Sequence, residues 1–235
     1  MNMKTTIKLI LLTLALNWTF ISCDKDDDSS DNQSTSTVTD ADGNVYSTIK
    51  IGTQTWMVEN LKTTKYNDGT SIPNVTNQTA WNGLTTGAYC YYNNDAAVYG
   101  TKYGCLYNWY TVNTEKLAPK GWHVPTDDEW TTLSDFLGGE DVAGSKMTST
   151  TGWDSPNASS TNSSGFTALP GGYRLDSEGF FDSAGETGCW WSSTECNLSK
   201  AWGWGLYEES NSFYQLDRDA ASKIDGYSIR CIRDN

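Results

Sequence analysis

The strongest helix signal in the chain reads Gly121-Trp122-His123-Val124-Pro125-Thr126-Asp127-Asp128-Glu129-Trp130. Thr126 and Glu129 form a capping box, because the hydroxyl and the carboxylate each bond a free backbone N–H at the start of a helix. The two aspartates between them favour the positive end of the helix dipole. Apolar residues then recur on one face and two glycines end the run: Trp130, Leu133, Leu137, Gly138 and Gly139. The stretch predicts one amphipathic helix.

Strand signals surround this helix. Residues 44–61 form two β-rich runs hinged at Gly52-Thr53, which predicts a hairpin. Residues 165–174 and 188–195 read as short strands and tight turns. In the closing run, residues 226–233, Tyr227, Ile229 and Cys231 share one face. The pattern predicts an α+β domain with short, mostly antiparallel strands, one clear helix and long loops.

The composition narrows the function classes. Hydrophobic residues make up 37% of the 235 residues, and 11 Trp and 13 Tyr accompany 21 Gly. Apolar area therefore comes from flat rings set among turns, which argues against a helical bundle. The formal net charge of −13 repels a polyphosphate backbone, so we expect no nucleic-acid partner.

The N-terminal residues read as a secretion signal. Lys4 and Lys8 precede an apolar run, residues 9–21, that is too short to cross a bilayer of about 30 Å as a helix. The run closes with Phe20-Ile21-Ser22-Cys23, which resembles a bacterial lipobox. We therefore expect residues 1–22 to be a lipoprotein signal peptide and Cys23 to carry the lipid that anchors the chain to a membrane.

Residues 23–40 contain almost nothing to bury and read as a disordered acidic tether, with the folded domain at residues 41–235. An acidic run directly after the acylated cysteine resembles the surface-export signal of Bacteroidetes lipoproteins. This resemblance implies an outer-membrane location facing the cell exterior.

Five cysteines follow the tether, in a compartment where disulfides persist. Proximity in sequence favours two pairs, Cys90 with Cys105 and Cys189 with Cys196, although Cys231 could displace either partner. An odd number leaves one thiol over. A structural zinc is disfavoured, because there is no C-x-x-C and the one histidine, His123, is distant in sequence.

Five motifs, in order, resemble the Fibrobacter succinogenes major paralogous domain over about residues 41–235. They are residues 103–110, the helix entry at 121–130, Ala168-Leu169-Pro170-Gly171-Gly172-Tyr173-Arg174, Trp190-Trp191-Ser192-Ser193-Thr194, and residues 227–234. That family looks like a branch of the C-type-lectin-like fold shared with formylglycine-generating enzymes. The resemblance implies a fold, whereas function in this superfamily varies.

Support for catalysis is weak. The formylglycine-generating enzymes use a copper-binding cysteine pair, but Cys189 and Cys196 lie in a context that does not match it. His123 beside the capped helix is expected to be a hydrogen-bonded structural imidazole. No G-x-S-x-G, H-E-x-x-H or Walker-type loop is present. We expect a protein that is not an enzyme and needs no cofactor.

Calcium is a further alternative, since lectins of this fold often hold sugars through it. Carboxylates cluster at Asp176, Glu178, Asp182 and Glu186, and again at Asp217 and Asp219. Acidic residues in the loops of an acidic chain are usually solvated surface, so no metal site is assigned.

Aromatic residues between Cys196 and Asp225 suit stacking on sugar faces, with carboxylates nearby to bond hydroxyls. The candidate ligand-binding residues are Trp202, Trp204, Tyr207, Tyr214, Asp217 and Asp219. The competing interpretation places Trp202 and Trp204 in the core, and Trp190 and Trp191 are assigned to the core outright.

The preferred function is a non-catalytic surface module that recognises a glycan or a surface protein through these C-terminal loops. Two alternatives remain open: a structural component of a cell coat or appendage, and a modifying enzyme of the formylglycine-generating type.

Overall fold

A computed structural model describes residues 36–154, 159–176, 180–209 and 213–234. The strands, in chain order, are β1 (Thr37–Thr39), β2 (Val45–Ile51), β3 (Gln54–Met57), β4 (Tyr89–Cys90), β5 (Leu106–Tyr107), β6 (Trp122–His123), β7 (Gly171–Arg174), β8 (Phe181–Ala184), β9 (Thr187–Glu195), β10 (Lys200–Glu209), β11 (Phe213–Ser222) and β12 (Ile232–Arg233). The α-helices are α1 (Gln78–Asn82), α2 (Thr101–Tyr103), α3 (Trp109–Val112), α4 (Asp127–Leu137) and α5 (Glu140–Met147). The signal peptide, Cys23 and residues 24–35 of the predicted tether lie outside the described residues.

The first sheet has the strand order β1-β2-β3-β12-β6 and is antiparallel throughout. The predicted hairpin is confirmed as β2 and β3, with Ile51 opposite Gln54 and Gly52 at φ +62° in the turn. Strand β12 pairs with β3, placing Ile232 opposite Trp56. The two ends of the described chain therefore meet in one sheet.

Strand β1 shows that the fold begins before residue 41. Thr37 pairs with Ser47, and Val38 packs against the core. Asp40 accepts hydrogen bonds from the backbone of Asn44 and from the Tyr46 hydroxyl, at 2.9 and 2.5 Å. Asp40, which the sequence analysis assigned to the acidic tether, stabilises the turn between β1 and β2.

The second sheet has the order β11-β10-β9-β7-β8 and is antiparallel except for one parallel bridge, Gly172 to Gly188, between β7 and β9. Strands β10 and β11 pair over ten residues, from Lys200 opposite Ser222 to Glu209 opposite Phe213. The expectation of ligand-binding loops between Cys196 and Asp225 is therefore wrong. In this hairpin, the alternation of side chains along the two strands decides which residues are buried and which are exposed.

Helix α4 confirms the prediction made from the capping box. The Thr126 hydroxyl accepts from the backbone N–H of Glu129, the carboxylate of Glu129 accepts from the backbone of Thr126, and Gly138 ends the helix at φ +109°. Helix α5 was not predicted, since its residues carry no apolar stripe. It packs on β11, where Gly144 lies so close that a Cβ would stand 1.9 Å from the Tyr214 carbonyl oxygen.

Aromatic residues build two main cores. One contains Tyr46, Tyr107, Trp109 and Trp191. The other lies between α4, α5 and the second sheet and contains Trp56, Trp130, Trp153, Phe166, Trp190 and Trp204. Ile229 and Cys231 lie in the first core with Tyr227 packed against it, so the predicted shared face is confirmed, whereas Ile232 belongs to the second.

A buried polar hub joins these cores. The Asn60 carboxamide oxygen accepts from Trp190 Nε1 at 2.9 Å and from two nitrogens of Arg230 at 3.2 and 3.1 Å. Arg230 is fully buried, and it also donates to the carbonyls of Met57 and Phe166 at 3.1 and 2.6 Å. Among the described residues no carboxylate forms an ion pair with it. Neutral oxygens accept its hydrogen bonds, and the charge of Glu59 adds a favourable interaction, so together they offset part of its desolvation.

The structure corrects both expected disulfides, because all five described cysteines are free thiols. Cys90 lies opposite Leu106 in the β4–β5 ribbon, so neighbouring Cys105 points to the other face. Cys189 and Glu195 both lie in β9, opposite Gly205 and Ala201 of β10, and those two partners are four residues apart, which is about 13 Å at the usual rise of a strand. Cys196 follows directly, far beyond the roughly 7 Å limit for a disulfide.

We expect Asn60→Ala to lower the free energy of unfolding by about 3–5 kcal/mol, because it removes the shared acceptor of a buried indole and a buried guanidinium. Urea unfolding followed by tryptophan fluorescence measures the change. The matched variant Asn113→Ala alters an exposed asparagine and is expected to cost less than about 0.5 kcal/mol. Equal losses in the two variants would show that the hub does not hold the cores together.

Candidate ligand-binding groove

Strand alternation gives the second sheet two unlike faces. On β10, Trp204 and Leu206 are buried in the second core, whereas Gly203, Gly205 and Tyr207 point away from it. On β11, Leu216 is buried, and the acids at 217 and 219 lie on the outer face with the glycines. The outer face therefore carries few side-chain atoms along β10, where two glycines lie, and two carboxylates along β11.

A groove of about 390 Å³ runs over this outer face, and we call it the sheet groove. Its floor contains Gly203, Gly205 and Cys189, and its remaining lining consists of Tyr173, Leu175, Thr187, Trp204, Tyr207, Asp217, Asp219 and Tyr227. A Cβ placed on Gly205 would find no atom nearer than 3.8 Å. The groove is thus open to any occupant that can pack on a backbone floor.

Tyrosines form its walls and are held firmly. Tyr227 stacks on Trp191 with ring centroids 4.4 Å apart, and Tyr173 meets Tyr227 edge to face at 6.2 Å. The Tyr207 hydroxyl donates to Asp217 Oδ2 at 2.8 Å. Desolvation by burial raises the pKa of Tyr173 and Tyr227, so both hydroxyls stay protonated. The walls offer aromatic faces and hydroxyl groups in fixed positions.

The charge of the sheet groove is entirely negative. Its described lining contains two carboxylates and no lysine, arginine or histidine. Arg218, which lies between the two acids in sequence, points to the helix side and contacts Asp127 at 2.6 Å. Its guanidinium also stacks on Trp202, 3.5 Å from the ring centroid. Strand alternation thus separates the local cation from the acids of the groove.

Four of the six residues expected to bind ligand line this groove: Trp204, Tyr207, Asp217 and Asp219. Trp204 nevertheless belongs mainly to the core, because it is 2% exposed and bonds Asp127. Tyr214 also lies in the core, since it is 1% exposed and packs on Trp153. Trp202 stacks on Arg218 outside the groove, so its expected role in ligand binding is not supported by its position.

Sequence reasoning missed the residues that shape the rest of the groove. Tyr173 and Tyr227 come from motifs interpreted as strands and turns, and Gly203 and Gly205 were not singled out. The period-two repeat Trp202-Gly203-Trp204-Gly205-Leu206-Tyr207 carried the signal, because one face is large and apolar and the other is nearly bare.

His123 is confirmed as a hydrogen-bonded residue at the helix entry. Its Nε2 lies 2.9 Å from Glu129 Oε1, and its Nδ1 lies 2.7 Å from Asp234 Oδ1. The bond to Glu129 raises the pKa of His123 to about 9, with the bond to Asp234 adding to the effect and desolvation opposing it. With a carboxylate on each nitrogen, the imidazolium joins the C-terminal segment to α4 and has no lone pair for a general base.

The thiols do not form the copper pair that the formylglycine-generating enzymes would require. Cys189 and Cys196 are separated along β9 by the distance that excludes a disulfide, so they cannot ligate one ion. Burial raises the pKa of Cys189 to about 12, which keeps this thiol protonated. Among the described residues, no group of three or more histidine, cysteine or acidic side chains is arranged to hold a metal.

The fold and the groove define a strand-rich mixed α/β domain, built of curled antiparallel sheets with few helices and an open acidic groove on one sheet. The chain belongs to the Fibrobacter succinogenes major domain family, whose model matches residues 49–233. No curated protein matches it. No solved structure matches it either.

The His123 contacts predict a pH-dependent stability. Because the pKa of His123 in the folded protein lies above the ordinary value of about 6.5, its contribution to stability is complete below pH 6.5 and is lost as pH rises through 9. Between pH 6.5 and 10 we expect the free energy of unfolding of wild type to fall by about 1–2 kcal/mol more than that of His123→Gln. This value is kept small because the His123 side chain is 38% exposed to solvent. Urea unfolding at both pH values measures this difference. Equal losses in the two proteins would show that the contacts of His123 with Glu129 and Asp234 do not stabilise the fold.

Proposed function

We propose that this chain is a surface-anchored lipoprotein whose domain recognises a ligand, without catalysis, in the sheet groove. The observation that carries the proposal is the groove itself, in which rigid tyrosines and two carboxylates surround a floor that only glycine leaves open. Tyrosine supplies large amphipathic contact area with little entropy to lose, a common feature of recognition surfaces. At about 390 Å³, the groove falls within the usual range of roughly 300–1,000 Å³ for ligand sites.

The nearby chemistry favours binding over catalysis. The Cys189 thiol on the groove floor is protonated, and His123 is held by two carboxylates elsewhere. Neither group offers an activated nucleophile or a general base to a molecule in the groove.

Membrane attachment belongs to the same proposal and rests on the sequence before residue 36. The lipobox-like Phe20-Ile21-Ser22-Cys23 places a lipid on Cys23, and the acidic run that follows directs the protein to the outer face of the outer membrane. Within the described part of the chain, no helix is long and apolar enough to span a bilayer.

The C-type-lectin-like assignment is also proposed. It is supported by the motif resemblance and by a mixed α/β fold in which the β3–β12 pairing brings the two ends of the domain together. A crystal structure whose topology differs from that of lectin-like domains would overturn it.

Filling the groove should abolish ligand binding without unfolding the protein. Valine at Gly205 places methyl groups in the groove, while the strand conformation tolerates a β-branched residue. The full chain, in detergent, is applied to arrays of glycans and of synthetic peptides. We expect wild type to bind a defined subset and Gly205→Val to bind it at least about tenfold more weakly, since the site is occluded.

Thr55→Val is the matched control, because it places a valine in a strand of the first sheet and should bind like wild type. The unfolding midpoints of all three proteins verify that each is folded. If wild type binds nothing on either array, the recognition proposal fails and a structural coat or appendage component becomes the better interpretation.

The lipid anchor has a separate test. We expect Cys23→Ser to prevent acylation, because serine has no thiol to carry the diacylglycerol, and to move the protein from the membrane fraction to the soluble fraction. Immunoblots of fractionated cells, with protease added to intact cells, measure attachment and exposure. Unchanged partitioning, or protection of the wild-type protein from added protease, would contradict the anchor or its orientation respectively.

A further inference from the structure

We propose that the sheet groove accepts a cationic side chain, lysine or arginine, presented by a partner protein. This inference rests on the recognition function proposed above and specifies the chemical class of its ligand. Four features carry it: the spacing of the acids, the absence of a local counter-ion, the aromatic walls and the apolar floor.

The two acids are placed to share one cation. Asp217 and Asp219 alternate along β11, so they lie on the same face about 7 Å apart along the strand. They lie opposite Gly205 and Gly203. Gly205 is open to the groove, whereas the Tyr227 ring covers Gly203, where a Cβ would stand 2.9 Å from it. An ammonium or guanidinium entering over Gly205 would lie beside Asp217, with Asp219 two residues further along the same face.

The protein supplies no cation of its own to these acids. Within the described residues, neither Asp217 nor Asp219 forms an ion pair with a lysine, arginine or histidine. The nearest arginine in sequence, Arg218, is held on the opposite face by Asp127. A cation brought by another molecule can therefore bind these carboxylates, of which Asp217 already accepts a hydrogen bond from the Tyr207 hydroxyl.

The tyrosines favour the same class of ligand. Aromatic faces attract ammonium and guanidinium groups, and this protein already uses such contacts inside the fold, where Arg174 lies 4.4 Å from the Trp81 ring centroid. In the groove, Tyr173 and Tyr227 line the same space as the acids, and Tyr227 is held by the stack of one of its faces on Trp191. Rigid rings and carboxylates together form a site for a cation.

The apolar floor of the groove favours a cation carried on an aliphatic side chain over a small inorganic cation. Leu175, Cys189 and the two glycines provide apolar surface, while the acids line only the β11 side. A lysine or arginine side chain matches this arrangement, because its methylene groups can pack on the apolar floor while its charged end meets the acids. The net charge of −13 would also attract a basic partner from a distance.

A titration of the full chain in detergent tests the inference with defined probes. The probes are Nα-acetyl-L-lysine amide, Nα-acetyl-L-arginine amide and the neutral Nα,Nε-diacetyl-L-lysine amide, which keeps the stem and removes the charge. Chitotriose and maltotriose form the saccharide arm. Binding is followed by calorimetry and by NMR shifts of the groove residues. We expect the charged probes to bind at least about tenfold more tightly than the neutral one.

Each carboxylate is then tested singly. Asp217→Asn and Asp219→Asn keep an acceptor oxygen and remove the charge, so we expect each to weaken binding of the lysine probe about three- to tenfold. Asp135→Asn is the matched control, since it removes one exposed charge on α4 and should change binding less than about twofold. Unfolding midpoints exclude loss of the fold.

The outcomes separate this inference from the recognition function. Equal binding of the charged and neutral lysine probes, or no effect of the two groove variants, overturns the cation site. Saccharide binding that Gly205→Val abolishes and the aspartate variants leave intact also overturns it, while supporting a recognition groove for glycans. If no probe and no array component binds, the recognition function itself fails.

Discussion

The fold depends on how one carboxamide satisfies a buried guanidinium. Arg230 is fully buried, and desolvation lowers its pKa while the negative charge of Glu59 opposes that effect. Asn60 supplies the oxygen that two nitrogens of Arg230 and the Trp190 indole share. Asn60 lies 130 positions before Trp190 and 170 positions before Arg230. The hub therefore forms only when the N-terminal hairpin, the central strand β9 and the C-terminal segment have come together, which ties domain closure to a single polar network.

The same network explains why the sheet groove is open. Holding Trp190 towards Asn60 commits that face of β9 to the second core, and Trp204 lies opposite Trp190 on β10. Trp130 of α4 stacks on Trp204 with centroids 6.1 Å apart, so the large rings of three elements fill one side of the sheet. The outer side of the sheet is shared, because Trp191, Ala201 and Ala221 belong to the first core, whereas Gly205, Asp217 and Asp219 line the groove. The groove therefore occupies only the part of the outer side that the first core leaves uncovered.

Local signals in the sequence predicted local structure well. The capping box of α4 and the Gly52 turn are complete within a few residues, and both are confirmed. The errors concern strand geometry, which spacing in the sequence does not reveal. Cys189 and Cys196 are close in the chain, but β9 is extended between them, so spacing misled the disulfide prediction. The β10–β11 hairpin was read as loops because the fold that the chain resembles presents ligand-binding loops there. Four of the eleven residues that line the groove were among the candidates, namely Trp204, Tyr207, Asp217 and Asp219.

Strand register, more than composition, sets the charge of the groove. Asp217, Arg218 and Asp219 are consecutive, and a one-residue slip of β11 would carry Arg218 to the outer face and both acids to the helix side. The Asp127–Arg218 ion pair opposes that slip, because Asp127 is fixed at the first turn of α4 and also accepts from the Trp204 indole. The capping box at Thr126 thus has a consequence beyond the helix it starts. By fixing Asp127 it holds the arginine on the inner side, and it leaves the carboxylates of Asp217 and Asp219 on the outer side, in the lining of the groove.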